Sequence, residues 1–361
     1  MMFACDIGHS IDLDAVQRKV STMKSGEAER AGMRPTQGSR RMPRDFSQTP
    51  PLRISSACES VKIGPWSTAS ISETVLFDFG AASVAYSIPI EGDFDSLRVL
   101  AQTLYDRADL REHARRRVTD LLSNLGDSVT RSHLTDMMED YFIFEIERFE
   151  IDHGTLHDWR SMNAPLVASV LRAESGDLSA QEIEDTLARC FSYSPEDLTI
   201  VDWNGAVIID PHAPETSSVL EFANVELLEM RHLDNLLDGS LDRAYRAAER
   251  RSLIAWVDAK RAGADMHEIS RLQIEHVALF EGVNNALKLV GDQYLARVYH
   301  AAAQRFHLPE WDASILRKLG TLESIYAKLS DRASARRAEG LEVIVIWLIA
   351  FEIVMSLLRL K

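Results

Sequence analysis

The last twenty-odd residues constrain this chain more than any other stretch. Leu341 to Leu360 reads LEVIVIWLIAFEIVMSLLRL, followed by Lys361. As one helix, about 20 residues cover roughly 30 Å, the thickness of a bilayer's hydrocarbon core. Each Leu, Ile, Val or Phe contributes about −0.3 to −0.6 kcal/mol on insertion, whereas Glu352 costs about 2.5–3.5 kcal/mol. The balance favours insertion by only a small margin. The segment therefore reads as a C-terminal transmembrane helix over 339–361, or as an apolar helix packed inside a bundle. Glu352, Ser356 and Arg359 are spaced to share one helical stripe. An ionisable residue in such a helix is a candidate contact to a partner. The alternative is a carboxyl that is merely tolerated.

A chain of 361 residues has room for two domains. Only 17 glycines and few aromatics favour helices over a sheet-rich fold. The formal net charge of −15 opposes non-specific attraction to nucleic acid, so no direct DNA binding is expected. Cys5, Cys58 and Cys190 are odd in number and far apart, which implies neither a disulfide framework nor a cysteine metal site. The N-terminus lacks the basic start and apolar core of a signal peptide.

Residues 1–68 read as a disordered tail, because Pro35, Pro43, Pro50, Pro51 and Pro65 lie among Ser, Thr, Gly and Arg. An α+β domain is predicted over 69–212. Thr74–Phe79 and Ser83–Ile88 form a hairpin at Gly80. Helices follow over Asp93–Asp106 and Ala108–Leu125, then a strand over Tyr141–Phe149 and a helical run over Ala164–Ala173. Ser179 and Glu182 form a capping-box pattern opening a helix to about Cys190. Asn204-Gly205 joins Leu198–Trp203 to Ala206–Asp210 as a second hairpin. Residues 213–338 read as a long-helix, coiled-coil-like region. Its seams are Leu220, Ala223, Leu227, Met230, Leu237 and Leu241, with Asp234 breaking the stripe; then Val283, Leu287, Val290, Tyr294 and Val298; then Ile315, Leu319, Leu322, Tyr326 and Leu329. Phe306–Trp311 reads as a turn with Asp312 as a cap. The last helix then runs into the apolar tail, with a possible kink at Gly340.

No glycine-rich phosphate loop, G-x-S-x-G or paired-cysteine motif is present, so no catalytic residue, cofactor or metal-ligand set is predicted. His153 and His157 have helical metal spacing, but Gly154 and Thr155 make a poor helix and no third ligand is evident. Arg107, Arg111 and Arg115 share a helical face with Arg116 and Arg117 beside them. They could meet RNA phosphates or an acidic partner, or pair with Asp109, Glu112 and Asp120. Glu221, Asn224 and Glu229 lie among the apolar positions of 220–231, where they would fix register, bind a partner or face water.

Several blocks together resemble one family. They are Leu220-Glu-Phe-Ala-Asn-Val-Glu-Leu-Leu-Glu-Met-Arg231, Gly291-Asp-Gln-Tyr-Leu-Ala-Arg-Val-Tyr299, Trp311 with Lys318-Leu-Gly-Thr-Leu-Glu-Ser-Ile-Tyr326, and the terminal Leu341-Glu342, Leu348-Ile349 and Glu352. Over about 72–361 the chain resembles the "required for meiotic nuclear division" family. That resemblance implies an α+β region, a long helical region and a C-terminal membrane helix. Its mitochondrial member is an inner-membrane protein needed for mitochondrial translation and associated with tethering ribosomes. The resemblance implies no catalytic residues. The expectation is then a non-enzymatic, tail-anchored scaffold in a bacterial or mitochondrial inner membrane. Its partners would be the lipid bilayer, other copies of itself, and a ribosome or another protein assembly. Arg332, Arg336 and Arg337 would place its bulk on the cytosolic or matrix side. The rival readings are a soluble helical oligomer, with the apolar tail in its bundle, and a metal-dependent enzyme using His153 and His157.

Overall fold

The computed structural model describes residues 1–22, 26–30, 50–105, 107–151, 154–210, 213–249, 272–273 and 293–359. The chain divides into two units, one of Met1–His232 with Leu279–Pro309, the other of Leu233–Ala278 with Glu310–Lys361.

The first unit begins with β1 (Met2–Asp6), β2 (Ser10–Ile11), α1 (Leu13–Thr22), β3 (Gly26–Arg30), β4 (Leu52–Ala57), β5 (Lys62–Ile63) and β6 (Trp66–Ser67). It continues with β7 (Ile71–Leu76), β8 (Ala81–Tyr86), α2 (Phe94–Leu104), α3 (Ala108–Leu125), β9 (Val129–Thr130) and β10 (Met138–Ile146). Then come α4 (Leu156–Met162), α5 (Ala164–Arg172), α6 (Ala180–Thr186), β11 (Cys190–Phe191), β12 (Leu198–Val201) and β13 (Gly205–Ile209). Long helix α7 (Ala213–Glu249) follows, and after it α8 (Gln293–Arg305) and α9 (Leu308–Arg359). The α+β class therefore stands for this unit.

Nine strands form one sheet in the order β11-β12-β13-β10-β1-β8-β7-β4-β3. Strand β10 runs parallel to β13, and the other neighbours are antiparallel. Strand β1 is the fifth of the nine, with Phe3 opposite Val84 on one side and Asp140 on the other. Its two faces serve two cores. Phe3, Cys5 and Ile7 join Val84, Val118 and Val170, so α3 and α5 cover that side. Ala4 joins Val75, Phe77 and Ala81 beneath Val225 and Leu228 of α7.

This arrangement corrects the disordered tail predicted over 1–68. A strand buried on both faces reads as a near-continuous apolar run without alternation, as Met2–Cys5 does here before the closing Asp6. Phe3 is fully buried, which is worth about 1.5–3 kcal/mol for a side chain of that size. The prolines that suggested disorder fall partly at 35 and 43, outside the described residues, and Pro50–Pro51 simply precede β4.

Both predicted hairpins form, as β7–β8 and β12–β13. Gly80 turns the first with φ of +105°, a conformation that favours glycine. Ser179 caps α6 by accepting from the Glu182 amide at 3.2 Å.

In the second unit, Leu233, Leu237 and Ala244 of α7 are buried, as are Ile315, Leu319, Leu322 and Tyr326 of α9. Asp234, which interrupts the apolar stripe, is paired with Lys318 at 2.8 Å, and Lys318 also reaches Asp238 at 2.5 Å. Asp312 lies inside α9 rather than capping it, and the helix continues through Gly340. The seam positions Val283, Leu287 and Val290 lie outside the described residues.

The C-terminal span requires a correction. Among the described residues, no helix is long and apolar enough to cross a membrane. Glu342 and Glu352 bracket the charge-free run of α9. At 1.5 Å per residue that run covers about 14 Å, half of a core roughly 30 Å thick. This overturns the transmembrane helix predicted over 339–361 and the tail-anchored membrane localisation, and among the described residues no spanning helix supports the bilayer as partner.

Candidate metal centre

Asp6 closes β1, two residues beyond Ala4, so both side chains leave the strand on the face that α7 covers. On α7, His232 lies one turn beyond Leu228 and two beyond Val225, continuing their stripe toward the end of β1. The third element is the connection from β9 to β10. Its main chain is tied to the segment around Asp6 by His133 N donating to Ile7 O at 3.0 Å and Thr135 N donating to Asp6 O at 3.2 Å. Opposite, Ile7 N donates to Gly80 O at 2.9 Å. A Cβ on Gly80 would stand 1.9 Å from the Gly8 carbonyl oxygen, so only glycine permits this approach.

These elements bring Asp6, His133 and His232 together, with one donor atom from each lying within 4.8 Å of the others. His133 Nε2 lies 2.7 Å from Asp6 Oδ1, and His232 Nε2 lies 3.7 Å from Asp6 Oδ2. The two imidazole rings are 6.3 Å apart and tilted by 37°. Asp6 is buried, whereas the His133 side chain is 46% exposed.

The other nitrogen of His133 bears on its tautomer. Nδ1 lies 3.0 Å from the Arg131 carbonyl oxygen, which only accepts, so a hydrogen bond there requires the proton on Nδ1. A neutral His133 then points the Nε2 lone pair at a carboxylate oxygen. Two lone pairs at that distance repel. Either a second proton or a cation between them relieves this. An imidazole anchored through one nitrogen to a backbone carbonyl, with the other free to coordinate, is the usual outer-shell arrangement of a metal-ligating histidine. Arg131 holds its carbonyl there from a left-handed backbone with φ of +49°, a conformation that concentrates at functional sites.

Two imidazoles and one carboxylate suit zinc and the divalent ions of iron, cobalt, nickel or manganese. Donor bonds of about 2.0–2.2 Å place neighbouring donor atoms roughly 3–3.5 Å apart. Asp6 and His232 are near that spacing, and a small rotation of the exposed His133 ring supplies the remainder. Cys5, the neighbour of Asp6, faces the other core. Burial first, then the charges of Asp6 and Glu229, push its thiol well above the usual range, and Arg115 opposes the rise. Cys5 points away from the cluster, with Sγ 3.6 Å from the Ala82 carbonyl oxygen in that core.

The sequence-predicted candidates fall elsewhere or turn out to be supports. Arg107 pairs with Asp109 at 2.7 Å, and Arg111 with Asp140 at 2.7 Å. Arg115 donates to Thr135 O at 3.0 Å and to Asp136 Oδ1 at 2.6 Å, bracing the loop that carries His133. Arg116 returns to Glu112 O, and Arg117 reaches Ala57 O. The basic patch is thus engaged in ion pairs and carbonyl contacts. Glu221 is buried and meets Arg53 at 3.3 Å, while Asn224 donates to Glu139 O at 3.3 Å. Burial raises the Glu221 carboxyl, and Arg53 opposes the rise. Glu229, half-buried, lies one turn before His232. His157 is exposed on α4, and His153 lies outside the described residues. Glu352 is exposed on α9; the side chains of Ser356 and Arg359 lie outside the described set. Among the described residues, Asp6, His133 and His232 are the one group with metal-binding geometry. No local spacing links three residues so far apart in the chain. The single local hint is a carboxylate closing an otherwise apolar strand.

Comparisons with known proteins correct the family resemblance. A family model described as "Uncharacterized protein MJ0711, N-terminal domain" matches residues 1–215. The uncharacterized protein MJ0711 of Methanocaldococcus jannaschii is 24% identical over 200 residues, covering 55% of this chain. The chain spans 61% of that relative's length. No solved structure matches. The match begins at residue 1, in the stretch read as a tail, and nothing points to the meiotic-division family. The blocks that suggested that family lie mostly on α7–α9, where seam spacing common to many long helices produces similar strings. The chain belongs to the MJ0711 N-terminal domain family.

Proposed function

We propose that this member of the MJ0711 N-terminal domain family is a metal-binding protein, holding one divalent transition-metal ion between Asp6, His133 and His232. The observation that carries the reading is the pairing at His133. Its Nδ1 proton is committed to the Arg131 carbonyl, and its Nε2 is aimed at a buried carboxylate with a second imidazole beside it. Such a centre fastens β1, the loop before β10 and α7 at one point.

The test is metal uptake by the full chain after stripping with a chelator. Isothermal titration with zinc, ferrous iron and manganese should give one equivalent for at least one of them. Asp6→Asn and His232→Ala should lose it. Because the ion binds only the assembled site, ion at 100 times its Kd should stabilise the fold by about 2.7 kcal/mol. No stoichiometric uptake of any of these ions would remove the proposal.

A further inference from the structure

Resting on that metal reading, we infer that the centre is open, with at least one coordination position turned to solvent and suited to a small anionic ligand. Three protein donors are present, and among the described residues no further His, Cys, Asp or Glu joins the group whose donor atoms lie within 4.8 Å of one another. Borderline divalent ions take four ligands or more, and three-ligand protein sites keep the remaining position for water or substrate. The direction of that position follows from burial. Asp6 is enclosed under α7, His232 is partly covered, and His133 is the exposed corner, so the uncovered side is the one past the His133 ring.

Charge sets the class of ligand. One carboxylate and two neutral imidazoles leave a divalent ion with a single net positive charge. An anion on the open side completes neutrality: hydroxide formed from bound water, or one oxygen of a carboxylate or phosphate group on a substrate. A divalent ion held in this way lowers the pKa of its bound water toward neutrality, which is the requirement for a hydrolytic nucleophile.

The experiment uses the full chain loaded with cobalt(II), whose visible bands report coordination number, and azide as the probe anion. The expected result is one equivalent of bound cobalt and a saturable shift of its bands on adding azide, reversed by dialysis. Phosphate should compete with azide in the same titration. Bound cobalt with bands that azide leaves unchanged means a closed centre and overturns the inference while leaving the metal reading intact. Failure to take up cobalt, zinc or iron removes both.

Discussion

At the residue scale, the tautomer of His133 decides what the cluster is. The Arg131 carbonyl faces Nδ1, and the Asp6 carboxylate faces the other nitrogen. Asp6→Asn keeps the shape and removes the charge. It should abolish metal uptake with little change in the folded circular-dichroism spectrum, because the amide still fits under α7. A second residue makes a separate prediction. Asp202 is fully buried between Arg172 Nε at 3.1 Å and Arg305 Nε at 3.4 Å. Burial pushes its carboxyl up to about 6 from 3.8, and Arg172 and Arg305 only partly counter the rise. The folded state therefore binds the proton more tightly than the unfolded chain does. Stability contributed by this group is fully present below pH 3.8 and declines as pH rises to about 6. Urea midpoints of wild type and Asp202→Asn, compared across that window, should show the slope attributable to Asp202 in the wild type only.

At the scale of elements, the parts that were legible in the sequence carry their own signals. Asn204-Gly205 and Gly80 mark turns, Ser179 with Glu182 marks a helix start, and Ile315, Leu319, Leu322 and Tyr326 step at helical spacing. Strand β1 carries no such signal, since burial on both faces erases alternation. The polar residues of α7 were ambiguous for another reason. The partners of Glu221 and Asn224 are Arg53 on β4 and Glu139 on β10, which no local pattern reveals. Arg115, on the face where the sequence predicts a basic patch, instead holds Thr135 O and Asp136 in the loop that carries His133. Arg115→Ala should leave the fold intact and weaken metal affinity by about 10–100-fold, the usual cost of losing an outer support. Arg115→Lys should recover part of that loss, and calorimetric titration of the three proteins checks it. In the second unit, Lys318→Ala strands Asp234 without its cation and should cost about 1–3 kcal/mol, read from denaturant unfolding.

At the scale of the whole molecule, the apolar tail looked decisive because its composition matched a membrane span in length. Glu342 and Glu352 interrupt it, and among the described residues no helix qualifies as a crossing. Ile344, Val345, Ile346, Trp347, Leu348, Ile349, Phe351, Ile353 and Met355 nevertheless remain exposed on α9. Truncation after Ala338 removes all nine. The truncated chain should self-associate less by light scattering and should still bind its ion, since every ligand belongs to the first unit. Asp6 and His133 fall within the residues that the family model matches, and His232 lies just beyond them on α7. The most direct measurement is elemental analysis of the purified full-length chain beside His232→Ala, each reloaded under identical conditions. The proposed centre predicts one transition-metal ion per chain in the wild type and a small fraction of that in the variant. Equal metal content in the two proteins, or none in either, would contradict it.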